Sequence, residues 1–185
     1  MNTIVTSREE ILRISRTLIQ KQGFASVNIR SVAAACGVSI GSIYNYFDSK
    51  TALMGAIVES VWCEIFQHPE EDAVFQDTQA CMIWMYKCME YGSKQYPEFF
   101  TLHSLGFMQE EKPEGKRRMQ QTWQHILNQL NSVLKRDTHI RSNAFTDQFT
   151  TEQFADILFS LMLSAFLRQE YNPDTVLEIV RRTIY

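Results

Sequence analysis

Residues 36–50 read CGVSIGSIYNYFDSK, and the spacing within this stretch decides the fold. Gly37 can take the left-handed conformation that a tight turn demands. Ser39 is placed to cap a short helix from Ile40 to Phe47, and Ser49 to cap a longer one that begins at Lys50. At about 100° per residue, Ile40, Ile43 and Phe47 share one side of the short helix. Gly41, Ser42, Asn45 and Tyr46 share the other, and Tyr44 sits at the boundary. A helix that needed only burial has no use for two tyrosines, an asparagine and a serine in so short a stretch. The polar side is uncharged and rich in groups that both donate and accept hydrogen bonds. That is the chemistry that reads phosphates, base edges and thymine methyls in a major groove. Gly41 adds no side chain, so the backbone there can approach a partner closely.

Working outward, Asn28 is a good N-cap for a helix that holds Val32 and Ala33, Ala34 and Ala35 and ends at Cys36-Gly37. Two short helices joined by a glycine-containing turn of about four residues form a helix-turn-helix. Upstream, Ser7 with Glu10 has the Ser-x-x-Glu form of a capping box. Beyond it Ile11, Ile14, Leu18 and Ile19 recur at helical spacing until Gly23 supplies a stop.

The net charge of −3 hides a split. Residues 1–50 carry Arg8, Arg13, Arg16, Lys21, Arg30 and Lys50 against Glu9, Glu10 and Asp48, and the rest of the chain is strongly acidic. A basic head on an acidic body predicts that only the head meets a polyanion.

The stretch from Ser7 to Val58 resembles the N-terminal domain of TetR-type transcriptional regulators. The resemblance rests on the F-x-x-x-x-I spacing from Phe24 to Ile29, the Val32-Ala33 pair, the G-V-S turn and the SIGSIYNYFDSK block. It implies that Ser42, Tyr44 and Tyr46 contact double-stranded DNA. It also implies that Lys50 holds a phosphate at the start of the fourth helix, and that Arg30 reads a base or a phosphate. Ser39 and Gly41 border that face, and Asn45 falls at a variable family position. Ile40 departs from the pattern, since many relatives place Lys there.

The remaining chain reads as further helices, broken at the acidic stretch HPEEDA and across a loop from about Asp137 to Thr150, expected to be the most mobile segment. Between Phe154 and Leu167 the only polar residues are Asp156, Ser160 and Ser164, four apart in one narrow stripe. A helix apolar nearly all round must be buried nearly all round, one side in its own core and another against a partner. Asn172 and Pro173 open the last helix. By the resemblance, the last two helices pair with their mates in a four-helix bundle. A homodimer follows, with Phe154, Leu158, Leu161, Met162, Ala165, Phe166, Val176 and Val180 as its candidate interface. The resemblance also implies a pocket for a small effector in the middle helices, for which the candidates are Trp84, Met85, Met89, Phe100, His103, Phe107 and Trp123.

With 185 residues and 45% hydrophobic content, the chain can bury a substantial core, and seven glycines with four prolines favour long helices. No signal peptide or membrane span is expected, so the reading is a soluble, cytoplasmic protein. Cys36, Cys63, Cys81 and Cys88 show no zinc-ligand spacing and read as reduced, small hydrophobes. No metal-binding HExxH, nucleophile elbow or phosphate-binding glycine loop is present, which argues against an enzyme, a metal or a cofactor. The expectation is an all-α protein with a DNA-binding domain over 1–50 and a ligand-binding and dimerisation domain over 51–185. Its function would be that of a repressor released from a palindromic operator by a small molecule. The alternative is a DNA-binding regulator without such a ligand, acting as an activator or through a protein partner.

Overall fold

The computed structural model describes residues 6–66, 77–97, 99 and 113–185, with the backbone alone over 113–122. Its helices are α1 (Arg8–Gln22), α2 (Ile29–Cys36), α3 (Ile40–Tyr44), α4 (Lys50–Ile65), α5 (Thr78–Gln95), α6 (Pro113–Arg136), α7 (Thr151–Arg168) and α8 (Asp174–Ile184). A 3-10 turn, Phe24–Ser26, links α1 to α2, and the described residues contain no strand beyond an isolated bridge between Thr146 and Phe149. The HPEEDA stretch lies outside the described residues, as do residue 98 and residues 100–112.

Two compact units form, residues 1–65 with 93–120 and residues 66–92 with 121–185. The recognition motif ends near residue 50, but packing does not part there. α1 lies against both α2 and α4, and α2 lies against α3. Ile11 and Ile19 of α1, Val32 of α2, Ile43 of α3, Phe47, and Leu53 and Ile57 of α4 make one buried core. Each such side chain contributes roughly 1.5–3 kcal/mol on leaving water, so α4 is held to the first three helices by more than the chain connection.

The caps explain where these helices start and stop. Ser7 Oγ accepts the Glu10 N–H, and Gly23 ends α1 at φ 78°. The full Ser7–Glu10 box does not form, because the Glu10 carboxylate takes Arg13 in a two-pronged pair at 2.6 and 2.8 Å. Asn28 and Ser31 cap α2 reciprocally, and Gly37 closes it in the left-handed conformation. Ser49 Oγ accepts the Ala52 N–H in the first turn of α4.

In the second unit, Phe154, Leu158, Phe159, Met162 and Phe166 of α7 pack in the core with Leu130 and Val133 of α6 and Val180 and Ile184 of α8. Thr150 and Gln153 form a capping box at the start of α7. The segment from 137 to 150 is pinned rather than loose, contrary to expectation. Arg141 donates its N–H to the Ile184 carbonyl, and its guanidinium donates to the Thr183 carbonyl. Phe145, Phe149 and Phe154 pack as an aromatic cluster with centroids 5.7–6.1 Å apart. Asp137 anchors the other end. Its buried carboxylate accepts the Thr78 N–H and hydroxyl at 2.8 Å, the His139 N–H at 3.0 Å and the Tyr185 hydroxyl at 2.5 Å.

Candidate nucleic-acid interface

α3 is positioned from beneath by Ile43 and Phe47, which are 0% and 4% exposed. Its outer surface carries the predicted set. Tyr44 is 46% and Tyr46 is 39% exposed, while Ser39, Gly41, Asn45 and Lys50 are exposed and Ser42 is half-buried. Ser39 Oγ accepts the Ser42 N–H at 3.1 Å and shares a hydrogen bond with Ser42 Oγ at 2.9 Å. The Ser42 hydroxyl is thereby oriented across the start of α3. The helix is shorter than expected, because Asn45 caps it and the chain turns through Tyr46 towards Ser49. Ile40, expected among the buried residues, is 40% exposed at the first position of α3. In a helix of barely more than one turn, Ile43 and Phe47 suffice for the seat, and the first residue has nothing above it to cover it.

Tyr46 had no long-range partner visible in the sequence. Its hydroxyl donates to the Thr6 carbonyl, so this ring is braced against the chain before α1. Arg8 lies over the Phe47 ring, 5.4 Å from its centroid. The head's cations separate into two groups. Arg13 pairs with Glu10 and Arg16 with Glu64, whereas Arg8, Lys21, Arg30 and Lys50 make no ion pair among the described residues. Arg30 is exposed in the first turn of α2, and Lys50 is exposed in the first turn of α4. The unpaired charge therefore borders the hydroxyl-rich face of α3 at Lys50 and Arg8.

The other two candidate sets fare differently. Of the pocket candidates, Phe100, His103 and Phe107 lie outside the described residues. Met85 and Met89 are fully buried, and Trp84 and Trp123 are half-buried, stacked edge-on against Phe66 and Phe159 respectively. Of the interface candidates, Phe154, Leu158, Met162, Ala165, Phe166, Val176 and Val180 are buried already within a single chain, and Leu161 is half-buried. They are core residues of the second unit. The outward face of α7 is made instead by Ile157 (43% exposed), Ser160, Ser164 and Leu167 (53% exposed). Burial pushes the Cys81 thiol up to about 12 and the Cys88 thiol to about 11, so both stay protonated at neutral pH. Among the described residues no group of His, Cys, Asp and Glu is placed to hold a metal ion, and no helix is long and apolar enough to cross a membrane.

Three small helices, with an exposed hydroxyl and amide face on the one after the glycine turn, define a helix-turn-helix protein. Residues 11–57 match the family model of bacterial regulatory proteins, tetR family. The HTH-type transcriptional repressor KstR2 of Rhodococcus jostii (strain RHA1) is 34% identical over 59 residues, which are 32% of this chain and 29% of that relative. The chain thus spans less than a third of that relative's length in the match. The whole fold is similar to BioQ with its natural double-stranded DNA operator, at TM-score 0.64 and 13% identity over 96% of this chain and 97% of that one. It is also similar to the multidrug binding protein EbrR complexed with imidazole, at TM-score 0.62 and 18% identity over 98% and 96%. At such identities the likeness is one of fold. Residues 11–57 thus carry a domain of the tetR family of bacterial regulatory proteins, and the rest of the chain shares the fold of solved regulators.

Proposed function

We propose that the protein is a DNA-binding transcriptional regulator that works in the cytoplasm as a homodimeric repressor on a palindromic operator and is released by a small-molecule effector. The exposed face of α3 carries the DNA reading. Ser42, Tyr44, Asn45 and Tyr46 present hydroxyls, an amide and ring surface from a helix seated by Ile43 and Phe47. Lys50 adds a cation at an α-helix N-terminus, where the backbone also favours a phosphate. Repression is supported by the description of KstR2, operator binding by the BioQ complex, and a small effector by the multidrug binding of EbrR.

The dimer seam belongs on the outward face of α7. Ile157, Ser160, Ser164 and Leu167 form one stripe at helical spacing, with two large apolar side chains half in water. Two heads held by such a seam would sit about 34–36 Å apart, one turn of DNA. An effector that prefers another head spacing would then compete with the operator by shifting the population between conformers.

One observation favours the reading without an effector. Met85 and Met89 pack beside Met82 in a core that leaves each of them 2% exposed or less, so two of the four described pocket candidates are occupied as packing. Melting the protein with a panel of small aromatic and apolar compounds separates the two readings, because only a bound effector raises the midpoint.

Selection from a randomised duplex pool tests the central reading. The enriched site should be two-fold symmetric, with half-sites one helical turn apart. A pool that shows no enrichment over its input would sink it.

A further inference from the structure

Arg8 stands in the first turn of α1, with its guanidinium over the Phe47 ring. The neighbouring Tyr46 hydroxyl donates to the Thr6 carbonyl. These two contacts fasten the start of α1 to the turn just past the recognition helix, so Arg8 is an exposed cation held beside Tyr46. Contact with a ring face consumes none of the five N–H donors of a guanidinium. The nearby carboxylates do not take it. Glu10 is committed to Arg13, Glu9 and Asp48 are exposed, and Arg8 makes no ion pair among the described residues.

The recognition helix also supplies no positive charge of its own. Ile40 brings an apolar side chain to the start of α3, and the residues Ile40–Tyr46 carry no cation. We propose that Arg8 is a DNA-phosphate contact, bonding the strand that passes the Tyr46 end of α3. The proposal rests on the DNA-binding reading above. A planar guanidinium pre-set on a ring loses little freedom on binding and can engage a phosphate through two donors. Because the phosphate is the same in every sequence, Arg8 positions the head and contributes nothing to sequence choice.

The test uses the full chain and a random-sequence duplex, with affinity measured by fluorescence anisotropy across a series of salt concentrations. Arg8→Ala should bind roughly three- to tenfold more weakly near physiological salt, and the slope of log K against log salt should shrink by about 0.9. Arg8→Lys should recover most of the slope, because it keeps the charge, and part of the affinity. Lys21→Ala, at the opposite end of α1, should leave both at the wild-type values. A role confined to bracing Phe47 would lower the melting temperature of Arg8→Ala without moving the slope. An unchanged slope in Arg8→Ala therefore overturns the proposal. If the wild-type chain itself shows no salt-dependent duplex binding, the DNA-binding reading fails first and takes this proposal with it.

Discussion

Replacing Asp137 by Asn removes a charge and almost no volume, so its cost can be worked from the hydrogen bonds alone. Oδ2 accepts three donors, the Thr78 N–H, the Thr78 hydroxyl and the Tyr185 hydroxyl, while Oδ1 accepts the His139 N–H. An Asn side chain offers one carbonyl and one amide. Its best orientation keeps the carbonyl on the three-donor side and sets its NH2 against the His139 N–H. Each retained bond loses its ionic character, about 1 kcal/mol apiece, and one partly buried N–H loses its acceptor, about 1–3 kcal/mol. The total is about 4–6 kcal/mol, large against the 5–15 kcal/mol that holds a typical domain. For a chain of this size that corresponds to a melting temperature lower by roughly 8–24 °C.

Acidity supplies an internal control. Burial alone would raise the Asp137 carboxyl, but the donors from Tyr185, Thr78 and His139 outweigh it and hold the pKa below the ordinary aspartate value of 3.8. A depressed folded pKa means stability that is fully present above the unfolded value and is lost as pH falls through the folded one. The gap between wild type and Asp137→Asn should therefore be widest near neutral pH and narrow below about pH 4. Thermal melts followed by circular dichroism at several pH values measure it. A variant that melts within 2 °C of wild type (below the roughly 8 °C expected here) would show that the Asp137 anchor does not hold the second unit.

Gly41→Ala should fold normally, since the new Cβ would meet only Ser39 Oγ at 3.6 Å, and any loss in a duplex-binding assay then comes from the DNA side. Lys50→Ala should weaken operator and random DNA alike and flatten the salt dependence by about 0.9, whereas Tyr44→Ala should change the ratio between the two. Ile157→Asp, on the outward face of α7, should keep its melting temperature yet become a monomer by light scattering. Phe166→Asp, 4% exposed, should unfold the second unit through a buried charge costing several kcal/mol. An Ile157→Asp protein that stays a dimer would move the seam elsewhere.

What was legible in the sequence was local. Ser7, Asn28, Ser39 and Ser49 cap as their spacing implied, and Gly23 and Gly37 end their helices, because a cap is settled by residues within one turn. The exposed face of α3 follows from the same logic. Ile40 did not, because periodicity says which side a residue is on and not whether anything lies above it. α7 shows the limit more sharply. Its sequence reveals apolar residues on nearly every side, but two apolar sides of one helix carry the same pattern. Only packing separates the side that holds Phe154, Leu158, Met162 and Phe166 from the side that leaves Ile157 and Leu167 half in water. The Tyr46–Thr6, Phe47–Arg8 and Asp137–Tyr185 contacts join residues about 40 or more apart, and no local pattern encodes them.

Charge makes the same point with a functional consequence. Composition counts six cations in the first 50 residues, but Glu10 and Glu64 neutralise Arg13 and Arg16, and Lys21 lies in the last turn of α1, away from the start that touches the recognition helix. Arg8, Arg30 and Lys50 remain unpaired among the described residues, and if each meets a phosphate as proposed the salt slope should be near −2.7 for one head and near −5.4 for two, at about 0.9 per contact. Three contacts and one short helix bind any DNA weakly and read few bases. One such site recurs too often in a genome to be regulated alone. In the proposed dimer, doubling the head would double both the slope and the length of sequence read, so the exposed stripe on α7, far along the chain from the proposed base contacts, would set operator choice as much as Tyr44 or Ser42.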